Sequence, residues 1–286
     1  MRLSFTLPFI LALLSTPALL AADLDSALAK IKKVGPQGAG AEEAAEAWRT
    51  LADASASDIP TLLSAIDDSN PLAANYVRSA IEAIAGREMN KLPAKPLEGF
   101  IAETNNDPRA RRLAYELILR VDPGAEQRLL PDLLHDPSVE LRRDAVAARM
   151  DAASKMKRKS DAIAAYQSAF AAAVDDDVVK GNAKRLKDHG EEVDIARHYG
   201  FILKWHIVGP FDNTDEEGFD TPHGPEGKAI DLSQTFTGSH DVGEVSWKEV
   251  VTEDDYGRVD LNKELGKHKS AIAYAMAEFD SQQART

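Results

Sequence analysis

Five carboxylate or carboxamide side chains crowd one short stretch of this sequence: Asp212, Asn213, Asp215, Glu216 and Glu217. Carboxylates and amide carbonyls bunched in this way are what a hard cation such as Ca²⁺ recruits. The spacing departs from an EF-hand loop, because Gly218 falls in the wrong place and no terminal Glu follows in register. Asp212, Asn213, Asp215 and Glu217 are therefore candidate metal ligands, and a solvated acidic loop is the plainer alternative. Glu253-Asp254-Asp255 reads as a turn. Aromatic rings that stack on sugars form a second candidate chemistry, offered by Trp205, Trp247 and Tyr256. Trp205 stands among apolar neighbours and is expected in a core. Trp247, between Ser246 and Lys248, is expected to be displayed, so Trp247 and Tyr256 are the candidate ligand-binding rings.

Covalent and acid–base catalysis find little here. There are no cysteines, which removes disulfides, thiolate nucleophiles and cysteine-based zinc sites together. None of the seven histidines belongs to a His-Glu-x-x-His pair, and there is no Gly-x-Ser-x-Gly elbow. The stretch Gly35-Pro36-Gln37-Gly38-Ala39-Gly40 lacks the Lys-Ser/Thr of a phosphate loop, since Ala41-Glu42 stand in that place. With no catalytic signature, the expectation is a binding protein that is not an enzyme.

Charge narrows the partners. The net charge is −13, and residues 205–286 hold seventeen Asp and Glu against seven Lys and Arg, so −10 lies in the last part of the chain. Such acidity repels phosphate backbones, and nucleic acid is not an expected partner. The N-terminus specifies the compartment. Arg2 precedes an apolar run from Leu3 to Leu14, and Ala18-Leu19-Leu20-Ala21-Ala22 ends in small residues. This is the layout of a secretory signal peptide over residues 1–22, cleaved after Ala21 or Ala22, which predicts a secreted or periplasmic protein. The run is too short to span a bilayer, and no membrane insertion is expected after cleavage.

The elements that would carry any site begin with helices. Residues 23 to about 190 read as helix nearly throughout, with a first helix over Leu24–Lys33 capped by Asp23 or Asp25. Beyond the glycine-rich connector a period emerges. Short apolar helices at 59–66, 97–102 and 129–134 are each followed by Asn70-Pro71, Asp107-Pro108 or Asp136-Pro137. Second helices then carry Arg78-Ser79-Ala80, Arg112-Leu113-Ala114 and Arg143-Asp144-Ala145, with arginines 34 and 31 residues apart. Asn or Asp before Pro caps a helix whose first turn tolerates the missing N–H. A small Ala lets paired helices approach closely, and a hairpin this short must stack on neighbours to bury its apolar face.

This pattern, over about residues 41–153, resembles HEAT repeats, especially the short bacterial kind also found in phycobilisome lyases. The resemblance implies an α-solenoid whose concave face docks a protein partner. It does not bring chromophore attachment with it, because nothing in these residues supplies that site. Residues 154–200 differ: the stripe Ala162/Tyr166/Ala169/Phe170 looks like the first helix of a tetratricopeptide-type hairpin, and Asp175-Asp176-Asp177 caps a further helix. The basic run Lys155–Arg158 reads as a solvated face.

At Phe201 the pattern changes to strand. Phe201–Val208 is expected to be a strand ended by Gly209-Pro210, with further strands at 245–251, 257–261 and 271–279. Trp205-His206-Ile207-Val208-Gly209-Pro210-Phe211-Asp212-Asn213, with Gly218-Phe219-Asp220, resembles the start of galactose-binding-like jelly-roll modules attached to helical repeats in exported bacterial proteins. That resemblance implies an antiparallel β-sandwich over residues 201–286, incomplete because such modules continue further, and a polysaccharide as an alternative partner. It also keeps open a reading as the remnant of a larger secreted hydrolase. The fold class expected is thus α+β: an N-terminal α-solenoid over 23–153, a helical pair and connector over 154–200, and a partial β-sandwich.

Overall fold

The computed structural model describes residues 17–67, 69–226, 229–239 and 241–279. Residues 1–16, most of the expected signal segment, lie outside the described residues. The fold is α+β, helical at first and carrying a small antiparallel sheet later. Contacts divide the chain into two compact units, one ending at Val178 and the other beginning at Val179.

In the first unit, α1 spans Pro17–Ile31 and α2 spans Ala41–Ala52. The helix α1 starts upstream of the expected Asp23 or Asp25 cap, so both acids lie within its body. Gly38 and Gly40 both take positive φ in the connector to α2. Short first helices alternate with longer second ones thereafter: α3 (Ile59–Leu63) with α4 (Pro71–Arg87), and α5 (Ala94–Ala102) with α6 (Pro108–Val121). Next come α7 (Ala125–Leu129), prolonged by a 3₁₀ turn at Leu130–Leu133, then α8 (Val139–Ser154) and α9 (Lys159–Ala172). Helix α3 packs on α4, α5 on α6, the Leu130–Leu133 turn on α8, and α8 on α9.

Two of the three Asx-Pro turns act as the sequence predicts. Asn70 accepts from the Leu72 and Ala73 N–H groups at 3.1 Å, and Asp107 accepts from Arg109 at 2.8 Å and Ala110 at 3.3 Å. The third does not. Helix α8 begins at Val139 with Ser138 as its cap, and Asp136 turns inward. The alanines of the repeated motif, Ala80, Ala114 and Ala145, are all buried in one continuous apolar core with Leu62, Leu97, Leu113 and Leu141. In α9, Ala162, Tyr166 and Ala169 are buried and Phe170 half-buried, as a 3.6-residue stripe requires.

A tenth helix, α10 (Asp176–Asp188), crosses the boundary between the units. Among the described residues of the second unit, a short helix without a sequence expectation, α11 (Ile195–Tyr199), precedes five strands. These are β1 (Lys204–Asp212), β2 (Thr235–Thr237), β3 (Glu244–Ser246), β4 (Lys248–Val251) and β5 (Ala271–Met276). Strands β4, β1 and β5 form an antiparallel sheet in that order, and β2 pairs with β3 separately. Gly209-Pro210 does not end β1. The strand runs on to Asp212 with a register shift against β5 between Val208 and Phe211. A Cβ on Gly209 would meet the Ala273 Cβ and the Ile272 carbonyl at 3.0 Å, so glycine permits the close approach of β5. The expected strand at 257–261 is absent, because the Asp260 carboxylate caps helix α12 (Leu261–Leu265) by accepting from Asn262 and Lys263. Val208, Phe211, Phe236 and Val245 form a small core, with Trp247, Ile272 and Tyr274 packed on it. No helix among the described residues is long and apolar enough to cross a membrane.

Candidate functional site

The acids of the 212–217 loop are held apart. Asp212 turns back on its own loop, accepting from the Thr214 N–H at 3.0 Å and the Thr214 hydroxyl at 2.6 Å. Asp215 and Glu216 sit at positive φ in a tight 3₁₀ segment, both exposed, and Glu217 is exposed beside them. The Asn213 Oδ1 is enclosed without a partner among the described residues. No group of three or more His, Asp or Glu among the described residues converges as a metal cage would require. The loop therefore places Asp212, Asn213, Asp215 and Glu217 in sequence proximity without assembling them around one point.

Nor do the candidate sugar-binding rings form a shared platform. Trp247 is half-buried between β3 and β4, packed on the Val208/Phe211 core, and not displayed as expected; its Nε1 is enclosed without a partner among the described residues. Tyr256 stacks on Tyr199 with centroids 6.4 Å apart and 22° between planes. Lys180 and Arg258 lie over the Tyr256 ring at 5.0 and 5.4 Å, so the ring is engaged by two cations as well. Arg258 in turn pairs with Asp254, whose carboxyl is pulled down to about 2 by the Arg258 hydrogen bonds and the Tyr256 backbone N–H. Trp205, expected in a core, is half-buried and donates from Nε1 to the Ile202 carbonyl at 3.1 Å.

The helical unit holds more organised chemistry, in two parts. The first is a set of ion pairs that link α4 to α6, α6 to α8, and α8 to the start of α10. Arg78 on α4 reaches Glu116 on α6 at 3.7 Å, and Arg120 on α6 returns to Glu82 on α4 at 2.6 Å. Arg112 on α6 bonds Asp144 on α8, and Arg143 on α8 reaches Asp177 at 2.5 Å and Asp175 at 3.3 Å. The arginines of the repeated motif thus reach over the intervening helix to an acid on α6, α8 or the start of α10, while the alanine two places on packs inward. Burial works against the Arg112 charge, but hydrogen bonds to Asp144 and Glu116 outweigh it and raise its pKa. Glu82 and Asp177 are correspondingly lowered by Arg120 and Arg143.

The second part is a cleft of about 880 Å³ between the α7 region, α8 and the facing side of α9. Leu130, Leu134, Ala145, Ala148 and Ala152 give it an apolar floor, and Glu126, Arg149 and Lys155 stand among its polar lining. Its size falls within the range of known ligand-binding clefts. Alanines at 145, 148 and 152 follow the spacing of one helical face, so α8 offers a wall low enough for another backbone to lie close. No motif marks this feature. It is made by residues scattered from 126 to 168, and only the surplus of small residues on α8 hints at it in the sequence.

No known protein-family model, curated protein or solved structure matches the chain.

Proposed function

We propose that the chain is an exported, non-catalytic docking protein. In this reading residues 23–153 form a HEAT-like α-solenoid, residues 154–200 a tetratricopeptide-like helical pair and connector, and the cleft beside α8 receives a segment of a partner protein. The observation that carries the proposal is the cleft itself: an apolar floor with small residues on one wall, in a unit whose long helices are bridged by ion pairs at the repeat spacing. Repetition of one interhelical contact is what stacking of like units produces. A docking surface needs an apolar strip bordered by charge, and the cleft sets Leu130, Leu134 and Ala148 beside Glu126, Arg149 and Lys155. The residues from 201 onward are proposed as a galactose-binding-like β-sandwich module. The engagement of Tyr256 by Tyr199 and two cations, and the packing of Trp247 on the small core, favour a protein partner over a polysaccharide.

The test is to fill the cleft. Ala148→Trp and Ala152→Trp place a large ring on its floor, and Ala152 stands about two turns away from Asp144, the partner of Arg112 that also lines the cleft. Each variant is compared with the intact chain for the proteins that co-purify from the extracytoplasmic fraction of its own cells. A defined protein retained by the intact chain and lost from both variants, with circular dichroism unchanged, is the expected result. The same set retained by all three would refute docking at this cleft.

A further inference from the structure

The two outer strands of the three-stranded sheet are built differently. Strand β4 is four residues long and carries Lys248 and Glu249, which pair with Glu264 at 2.6 Å and Lys204 at 2.7 Å. Charges and short length are the usual means of keeping a sheet edge from pairing with another chain. Strand β5, Ala-Ile-Ala-Tyr-Ala-Met, has no charge, no proline and no glycine. Ile272 and Tyr274 point to the small core, and the strand is half-buried apart from Ala275, which is exposed. Among the described residues no backbone hydrogen bond reaches the side of β5 away from β1.

We propose that β5 pairs with β5 of a second copy of this chain, antiparallel about Tyr274. Three observations choose this occupant. The strand alternates alanine with larger apolar residues, so a two-fold through Tyr274 sets Ile272 opposite Met276 of the other copy and Ala273 opposite its Ala275. Each face then meets its like. The flanks of β5 are oppositely charged, with Lys267 and Lys269 before it and Glu278 after it, all exposed. Antiparallel pairing brings the basic flank of each copy beside the acidic flank of the other, at both ends. The pairing also stops at two, because the resulting sheet runs β4-β1-β5-β5-β1-β4 and ends in the charged β4 edge on either side. Phe279, 70 % exposed, follows β5 and would lie across from Lys269 of the other copy, over its aliphatic stem.

Sedimentation equilibrium of the full chain in about 0.15 M salt tests the pairing. The expected mass is that of two chains at high concentration, falling to one on dilution. Ala275→Lys, which charges the open edge at an exposed position, is expected to give one chain's mass throughout, with unchanged circular dichroism. Glu278→Lys is expected to raise the dissociation constant about tenfold, since two attractive contacts become repulsive, and adding Lys269→Glu is expected to restore it. A wild-type chain that stays at one mass across the whole range overturns the proposal. So does an Ala275→Lys chain that still dimerises, because its contact would lie elsewhere.

Discussion

Arg111 donates from both arms of its guanidinium to the Asp136 carboxylate, with Nη1 at 2.8 Å from Oδ1, and the two residues are 0 % and 6 % exposed. The pair joins α6 to the turn before α8. Its remaining polar atoms are also used: Arg111 Nε donates to the Ile101 carbonyl at 2.7 Å, and Asp136 Oδ1 accepts from the Ser138 N–H at 2.8 Å.

A buried charge left without its partner is far more costly than the loss of an exposed pair. Arg111→Ala or Asp136→Ala is therefore expected to destabilise the chain by about 3–5 kcal/mol, read as a lower urea midpoint. The double variant is expected to cost less than the sum of the two, because it leaves no lone charge. Additive losses would show that the two residues act separately.

The ion pairs between long helices are exposed enough that each contributes little by itself. A double-mutant cycle on Arg112 and Asp144 is expected to give a coupling of about 0.5–1 kcal/mol, falling as salt is raised. A coupling of the size expected for Arg111 and Asp136 would mean that the repeat arginines carry the fold, not merely its register.

Alkaline pH should weaken both units through tyrosines. Burial pushes Tyr115 up to about 12, with Glu126 and Asp144 adding to it, and burial together with Glu226 pushes Tyr274 up to about 12. The folded value lies above the ordinary 10, so the unfolded chain loses these protons first. Stability is unaffected below about pH 10 and falls between about pH 10 and 12. Urea midpoints across this window should fall less for Tyr115→Phe than for the wild type. An identical slope would show that Tyr115 does not contribute.

Trp247 makes no hydrogen bond through its enclosed Nε1 among the described residues, so phenylalanine in its place removes a polar burden along with some apolar area. Trp247→Phe is expected to stay within about 1 kcal/mol of the wild type, and Trp247→Ala to lose about 2–3 kcal/mol. Thermal unfolding separates the two. A large loss for the phenylalanine variant would point to an unseen partner for the indole N–H.

Local chemistry explains what was legible in the sequence. Asn70 and Asp107 cap helices by bonding N–H groups two and three residues on, so neighbouring residues were enough to find them. Asp136 looked the same, but its partner Arg111 stands 25 residues earlier, and a buried guanidinium outcompeted the cap. The arginines and alanines of the period were readable because like contacts recur, whereas the acids they reach lie 32 to 38 residues further on and follow no fixed motif. Asp260 stands in a stretch whose residues favour strand, and its capping role depends on the Asn262 and Lys263 N–H groups turning into α12. Gly209 before Pro210 signals a strand end locally, but it makes room for β5, a neighbour more than sixty residues away. The cleft is assembled from three helical segments, so no stretch of sequence contains it.

Site-specific photo-crosslinking in the native compartment tests docking most directly. A photoreactive residue is placed at Ala148 on the cleft floor, at Ala152 one turn further, and at exposed Lys95 on α5 as a control. The account predicts the same discrete adduct from positions 148 and 152 and none from 95. Adducts from 95 alone, or from none of the three positions, would contradict it.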